Sequence, residues 1–233
     1  MSTRTKIWKP VAVLVAAFVV GACGGGAPQA RSITLTFVRN AQSQAESDGL
    51  IDTSIPGPGL SPDGKGQAQQ MAHGRHDFDA VYASDAADAQ QTAAPLAAEM
   101  GTQVEVLDGL RPINAGWYNG KPETMAASTY LLAPADWLNG DRQDSVPGST
   151  SGNEFNSRFT AAVRKIYSDG HAKPVIVTQG SAIMVWTLMN AKNGRNSLLT
   201  KHPLSNVGRV VLTGNPVTGW TLVDWDGIRN VAN

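Results

Sequence analysis

An apolar strand pattern over residues 33–38 runs into Arg39 at its carboxyl end, and a short polar loop, Asn40-Ala41-Gln42-Ser43, follows. Residues 40–62 read as a long loop around Pro56-Gly57-Pro58-Gly59. Ser61 is placed to cap a helix over 62–72, with Pro62 in its first turn. A short strand is expected at 80–83, an alanine-rich helix at 86–100 and a third strand at 104–107. Residues 115–150 show no clear period and carry Pro122, Pro134 and Pro147, which predicts an irregular, partly helical lid. Phe155, Phe159, Val163 and Ile166 fall at helical spacing, so 154–167 reads as an amphipathic helix. A buried strand at 175–178, a helix core at 183–189 and late strands at 207–212 and 220–223 complete the chain, the last strand at an edge. Strands alternating with helices, without an internal repeat, predict an α/β sheet covered on both faces.

The first residues carry a different pattern. Arg4, Lys6 and Lys9 precede an apolar run at 11–20, the length of a signal peptide and too short to span a bilayer as a helix. Val20-Gly21-Ala22-Cys23 resembles a bacterial lipobox, and the glycine-rich segment after it reads as a flexible tether. The expected division is a signal peptide at 1–22, lipidated Cys23 and tether at 23–31, and one domain at 32–233 with a lid insertion at about 115–150. That places the protein on the extracytoplasmic face of the cell membrane, in the cell envelope. A single acyl chain anchors weakly, so more than one, palmitate included, is expected on Cys23.

Cys23 is the only cysteine, so the exported domain has no internal disulfide and relies on its core. Processing removes three of 19 basic residues and none of 19 acidic ones, leaving 16 against 19, roughly −3. No basic patch points to nucleic acid. No cysteine pair or His-x-x-x-His spacing points to zinc, and no cofactor is expected. His73-Gly74-Arg75-His76 reads as a solvated helix end, His171 as part of a turn and His202 as a residue at a pocket rim. Gly180-Ser181-Ala182 is an incomplete nucleophile elbow. Trp117, Trp137 and Tyr130 in the lid are expected either to stack on a ligand or to pack lid against core.

Several segments, in order, resemble one family. They are Val38-Arg39-Asn40-Ala41, the run from Asp52-Thr53 through Pro56-Gly57-Pro58-Gly59-Leu60-Ser61, and Tyr82-Ala83-Ser84 with Gln90-Gln91-Thr92. Leu110-Arg111, Gly116-Trp117-Tyr118-Asn119-Gly120 and Val175-Ile176-Val177-Thr178-Gln179-Gly180 follow. This series resembles the histidine phosphatase (phosphoglycerate mutase-like) superfamily. The resemblance implies a three-layer α/β/α domain, a mostly parallel central sheet and a partly helical lid.

It also implies a catalytic set, which this chain lacks at most positions. Arg39 falls on a phosphate-clamping arginine of the family, but Asn40 falls on its nucleophilic histidine and Asp88 on its second clamp arginine. Pro112 falls on its acidic proton donor and Gln179 on its second histidine. An amide lone pair is delocalised, so Asn40 cannot be the nucleophile of covalent catalysis. A carboxylate in place of a guanidinium changes the site by two charge units. At ~4 Å and an effective dielectric of ~20, each unit is worth about 4 kcal/mol. The expected protein is a pseudoenzyme that binds a neutral or cationic small molecule, or an envelope protein, through Arg39, Asn40, Ser43, Asp88, Arg111 and Gln179. Two other readings stay open: a phosphatase working without phosphohistidine, with Glu46 or Asp85 as base, and a scaffold whose pocket is closed by an Arg39–Asp88 pair.

Overall fold

The computed structural model describes residues 30–74 and 77–229. The expected signal peptide, Cys23 and most of the tether lie outside the described residues, as do Arg75 and His76.

Strand β1 (Ile33–Arg39) sits near the middle of a six-stranded sheet. Its inward positions Ile33, Leu35 and Phe37 join one core, while Val38 joins a second core on the opposite face. Short helix α1 (Gln44–Ser47) and helix α2 (Pro62–Ala72) precede β2 (Ala80–Ala83). Helix α3 (Ala87–Glu99) and β3 (Val104–Val106) follow. The lid holds a 3₁₀ turn at Glu123–Ser128 and helix α4 (Leu132–Leu138). After it come α5 (Gly152–Ser168), β4 (Pro174–Thr178), α6 (Gly180–Asn190) and α7 (Leu198–Lys201). Strands β5 (Arg209–Asn215) and β6 (Gly219–Trp225) close the sheet.

The strand order is β3-β2-β4-β1-β5-β6. The first four are parallel, and β5 and β6 continue the sheet antiparallel, so the sheet is mixed with a parallel majority. Parallel strands buried on both faces need apolar side chains throughout, and β2 and β4 are buried at every position. Phe37, Phe159 and Trp186 meet at centroid distances of 5.4–5.9 Å, and Phe155 stacks on Trp137 of the lid at 5.8 Å. Trp137 therefore joins lid to core and is unavailable to a ligand.

Two expectations need correction. The segment 40–62 is not loop throughout, because Ser43 accepts a hydrogen bond from the Glu46 N–H and caps α1. The strand expected from 207 begins at Arg209, since Val207 adopts φ 55°, a left-handed conformation outside any strand.

Candidate functional site

The carboxyl ends of β1 and β4 lie side by side, and the residue after each strand turns into a common cleft. Asn40 follows β1, Gln179 follows β4, and Asp88 lies in the first turn of α3, just beyond β2. Open α/β sheets place ligands at this edge. The cleft encloses about 260 Å³. Arg39, Asn40, Ser43, Asp88 and Gln179 all line it, whereas Arg111 does not.

Asp88 is the hub. Its carboxylate accepts hydrogen bonds from Asn40 Nδ2 at 2.9 Å, Gln179 Nε2 at 2.8 Å and the Ala89 N–H at 2.6 Å. Asn40 and Asp88 are 5% and 8% exposed. Burial pushes the Asp88 carboxyl up to about 6. The hydrogen bonds from Ala89 and Gln179 oppose that rise, and the negative charges of Glu46 and Asp52 add to it. Thr92 Oγ1 accepts from the Ala41 N–H and donates to the Asp88 carbonyl, which ties the β1 loop to α3.

Arg39 is held elsewhere. Its Nη2 donates to Glu46 Oε1, an ion pair about one-fifth exposed, and its Nη1 donates to the Leu204 carbonyl. Asn206 supports the second oxygen of Glu46 at 3.0 Å. The Arg39–Asp88 pair considered from sequence is therefore not formed. Glu46, seven residues along, is close enough because the capped turn of α1 folds it back. Gly180 makes room for the arrangement: a β-carbon there would stand 2.9 Å from Arg39 Cδ.

Arg111 points away and grips Asp85 through Nε and Nη2 at 2.7 and 2.5 Å. Pro112 is buried, and its carbonyl accepts from Arg158 at 3.2 Å. The two bases considered for an alternative enzyme, Glu46 and Asp85, are thus both engaged by arginines. His73 pairs with Glu99 at the solvated end of α2, and His171 packs edge-on against Tyr82, away from the cleft. His202 offers its carbonyl to Trp225, while its neighbours Pro203 and Leu204 line the cleft. Trp117 is 77% exposed, and of the three lid aromatics only Tyr130 lines the cleft.

Sequence reasoning missed several cleft residues, among them Asp52, Glu123 and Ser181. Asp52 comes from the loop after α1, Glu123 from the lid's 3₁₀ turn and Ser181 from the start of α6. The lid residue lacks a periodic signal, because its place is set by contacts such as the Glu123 N–H to the Gly49 carbonyl. With them, the carboxylates of the lining are Glu46, Asp52, Asp88 and Glu123, against the single guanidinium of Arg39.

A sheet of this order, a cleft at its carboxyl edge and a lid above define a histidine phosphatase-type domain. The family model described as Histidine phosphatase superfamily (branch 1) matches residues 35–227, and the chain belongs to that superfamily. It is 40% identical over 216 residues to the Mycobacterium tuberculosis PE-PGRS family protein PE_PGRS11, an alignment covering 85% of this chain and 37% of that relative. The chain thus spans well under half the length of that protein. A mycobacterial glucosyl-3-phosphoglycerate phosphatase, solved with VO3, superposes with a TM-score of 0.70 at 20% identity, over 84% of this chain and 100% of the other. A structure titled mycobacterial hydrolase 1 gives 0.70 at 20% identity, over 84% and 99%. At that identity the two structures speak for the fold.

Proposed function

We propose that this chain is a lipid-anchored envelope protein of mycobacterial type whose histidine phosphatase domain binds a ligand or partner without phosphohistidine chemistry. The observation that carries the reading is the Asn40–Asp88–Gln179 arrangement. Where the family resemblance puts two histidines and a clamp arginine around a phosphoryl group, a carboxylate is bridged by two amides. Neither amide can accept a phosphoryl group or act as a cationic donor. Losing a nucleophile alone costs on the order of 10⁶ in turnover in a well-studied hydrolase. The remaining clamp, Arg39, spends its charge on Glu46. Anchoring rests on the basic region, apolar run and lipobox-like sequence ending at Cys23.

The test is hydrolysis of an aryl phosphate and a panel of phosphorylated metabolites by the full chain, with Arg39→Ala alongside. The expected result is no turnover above that variant. Turnover that disappears with Arg39→Ala would overturn the reading. Anchoring is checked separately by mass spectrometry of the membrane fraction, where Cys23→Ala should abolish an acyl mass increment.

A further inference from the structure

We infer that the cleft takes a small organic cation, an alkylammonium or polyamine-type ligand, in place of a phosphate ester. The inference rests on the binding role proposed for this site and names its ligand class. It begins from the cavity, whose charge, walls and size each restrict the occupant.

The one guanidinium in the lining is paired with Glu46 and also acts on Glu123, which leaves four carboxylates, those of Glu46, Asp52, Asp88 and Glu123, against one positive charge. Asp52 and Asp88 accept hydrogen bonds from neutral groups only. Among the described residues the Glu123 carboxylate has neither a hydrogen-bond nor an ion-pair partner, although it faces the cleft from the lid. Burial raises its pKa, as it does that of Asp88, and Glu46 adds to both shifts, while the charge of Arg39 opposes the shift of Glu123. The pocket thus holds a negative field that its own side chains leave unbalanced. A dianionic phosphate ester meets repulsion there, and a cation supplies the missing charge.

The walls favour an organic cation over a bare metal ion. Among the described residues no three histidine, cysteine, aspartate or glutamate side chains are grouped to hold a metal ion, so the lining offers no ready-made coordination set. Between them lie Leu50, Ile51, Leu131, Met184 and the ring of Tyr130, surfaces that suit an apolar stem and a cationic head. About 260 Å³ corresponds to roughly nine waters at ~30 Å³ each, room for a ligand of about that many heavy atoms.

Isothermal titration of the full chain with spermidine and with n-hexylammonium, against neutral 1-hexanol and inorganic phosphate, tests this. The expected result is saturable binding of at least one ammonium probe, with neither control binding. Affinity should weaken about tenfold or more in Glu123→Gln, a lid residue whose carboxyl is partly desolvated and which belongs to no core cluster. It should also fall as pH drops below about 6, because Asp88, facing Arg39, Glu46, Asp52 and Glu123, takes up a proton there. Phosphate binding in preference to the ammonium probes would overturn the inference, as would ammonium binding indifferent to Glu123→Gln and to pH. If neither probe binds and no phosphatase turnover is seen, the cation assignment fails while the non-catalytic reading stands. Turnover in that assay would remove the reading itself.

Discussion

At the scale of single residues, the decisive group is Asp88. An aspartate at the start of a helix is ordinarily unremarkable, and the helix N-terminus favours its charge. Here burial outweighs that help and pushes the carboxyl from 3.8 to about 6, which corresponds to about 3 kcal/mol. Below 3.8 the group is protonated in both folded and unfolded chains. Between 3.8 and 6 only the unfolded chain releases its proton, so this group's contribution to stability falls as pH rises through that window. Asp88→Asn removes the titration, and an amide flip at Asn40 or Gln179 satisfies its extra donor. Thermal melts at pH 4.5 and pH 7 should therefore show the variant gaining on the parent as pH rises. A parent-to-variant difference that stays constant with pH would contradict the burial of this carboxyl. The family resemblance read in the sequence was enough to group positions 40, 88 and 179, and the three side chains meet in one cleft. The partner of Arg39 was not legible there. A sequence offers charge complementarity but no distances, and Asp88 and Glu46 both answered to it.

At the scale of elements, the site depends on how closely the β1 loop approaches α2. Gly64 lies in the first turn of α2, and a β-carbon there would stand 2.0 Å from the Gln42 carbonyl oxygen. That atom is backbone, so the loop carrying Asn40 and Ser43 would have to move. Gly64→Ala should cost about 1–3 kcal/mol in denaturant unfolding, the range of an overpacked core. A neutral outcome would mean that the loop and helix are farther apart than described. Helix α5 offers a second test. Ser151 and Glu154 form a reciprocal capping box, and the Phe155, Phe159 and Ile166 side chains of that helix are fully buried. Ser151→Ala should lower stability by about 1 kcal/mol without altering the cleft, as measured by unfolding. Periodicity exposed α5 because its apolar stripe is continuous. The lid segment 115–150 gave no such signal, since 3₁₀ turns and a seven-residue helix are too short to show a period. Glu123 was hidden for that reason.

At the scale of the whole molecule, the order of alternating strands and helices was enough to anticipate an α/β sheet. The late strands were anticipated, the last at an edge, but their antiparallel pairing was not. What the pattern does not encode is the net field inside the cleft. That field comes from residues 46, 52, 88 and 123, brought together from α1, a loop, α3 and the lid. The superfamily's fold is kept while the cleft lining holds four carboxylates against one arginine, and fold alone does not fix function. Calorimetric titration of the full chain with inorganic phosphate at neutral pH tests that claim most directly. The account predicts no binding tighter than about 1 mM, with or without Arg39→Ala. Micromolar phosphate binding that is lost in Arg39→Ala would contradict it and return the cleft to phosphoryl chemistry.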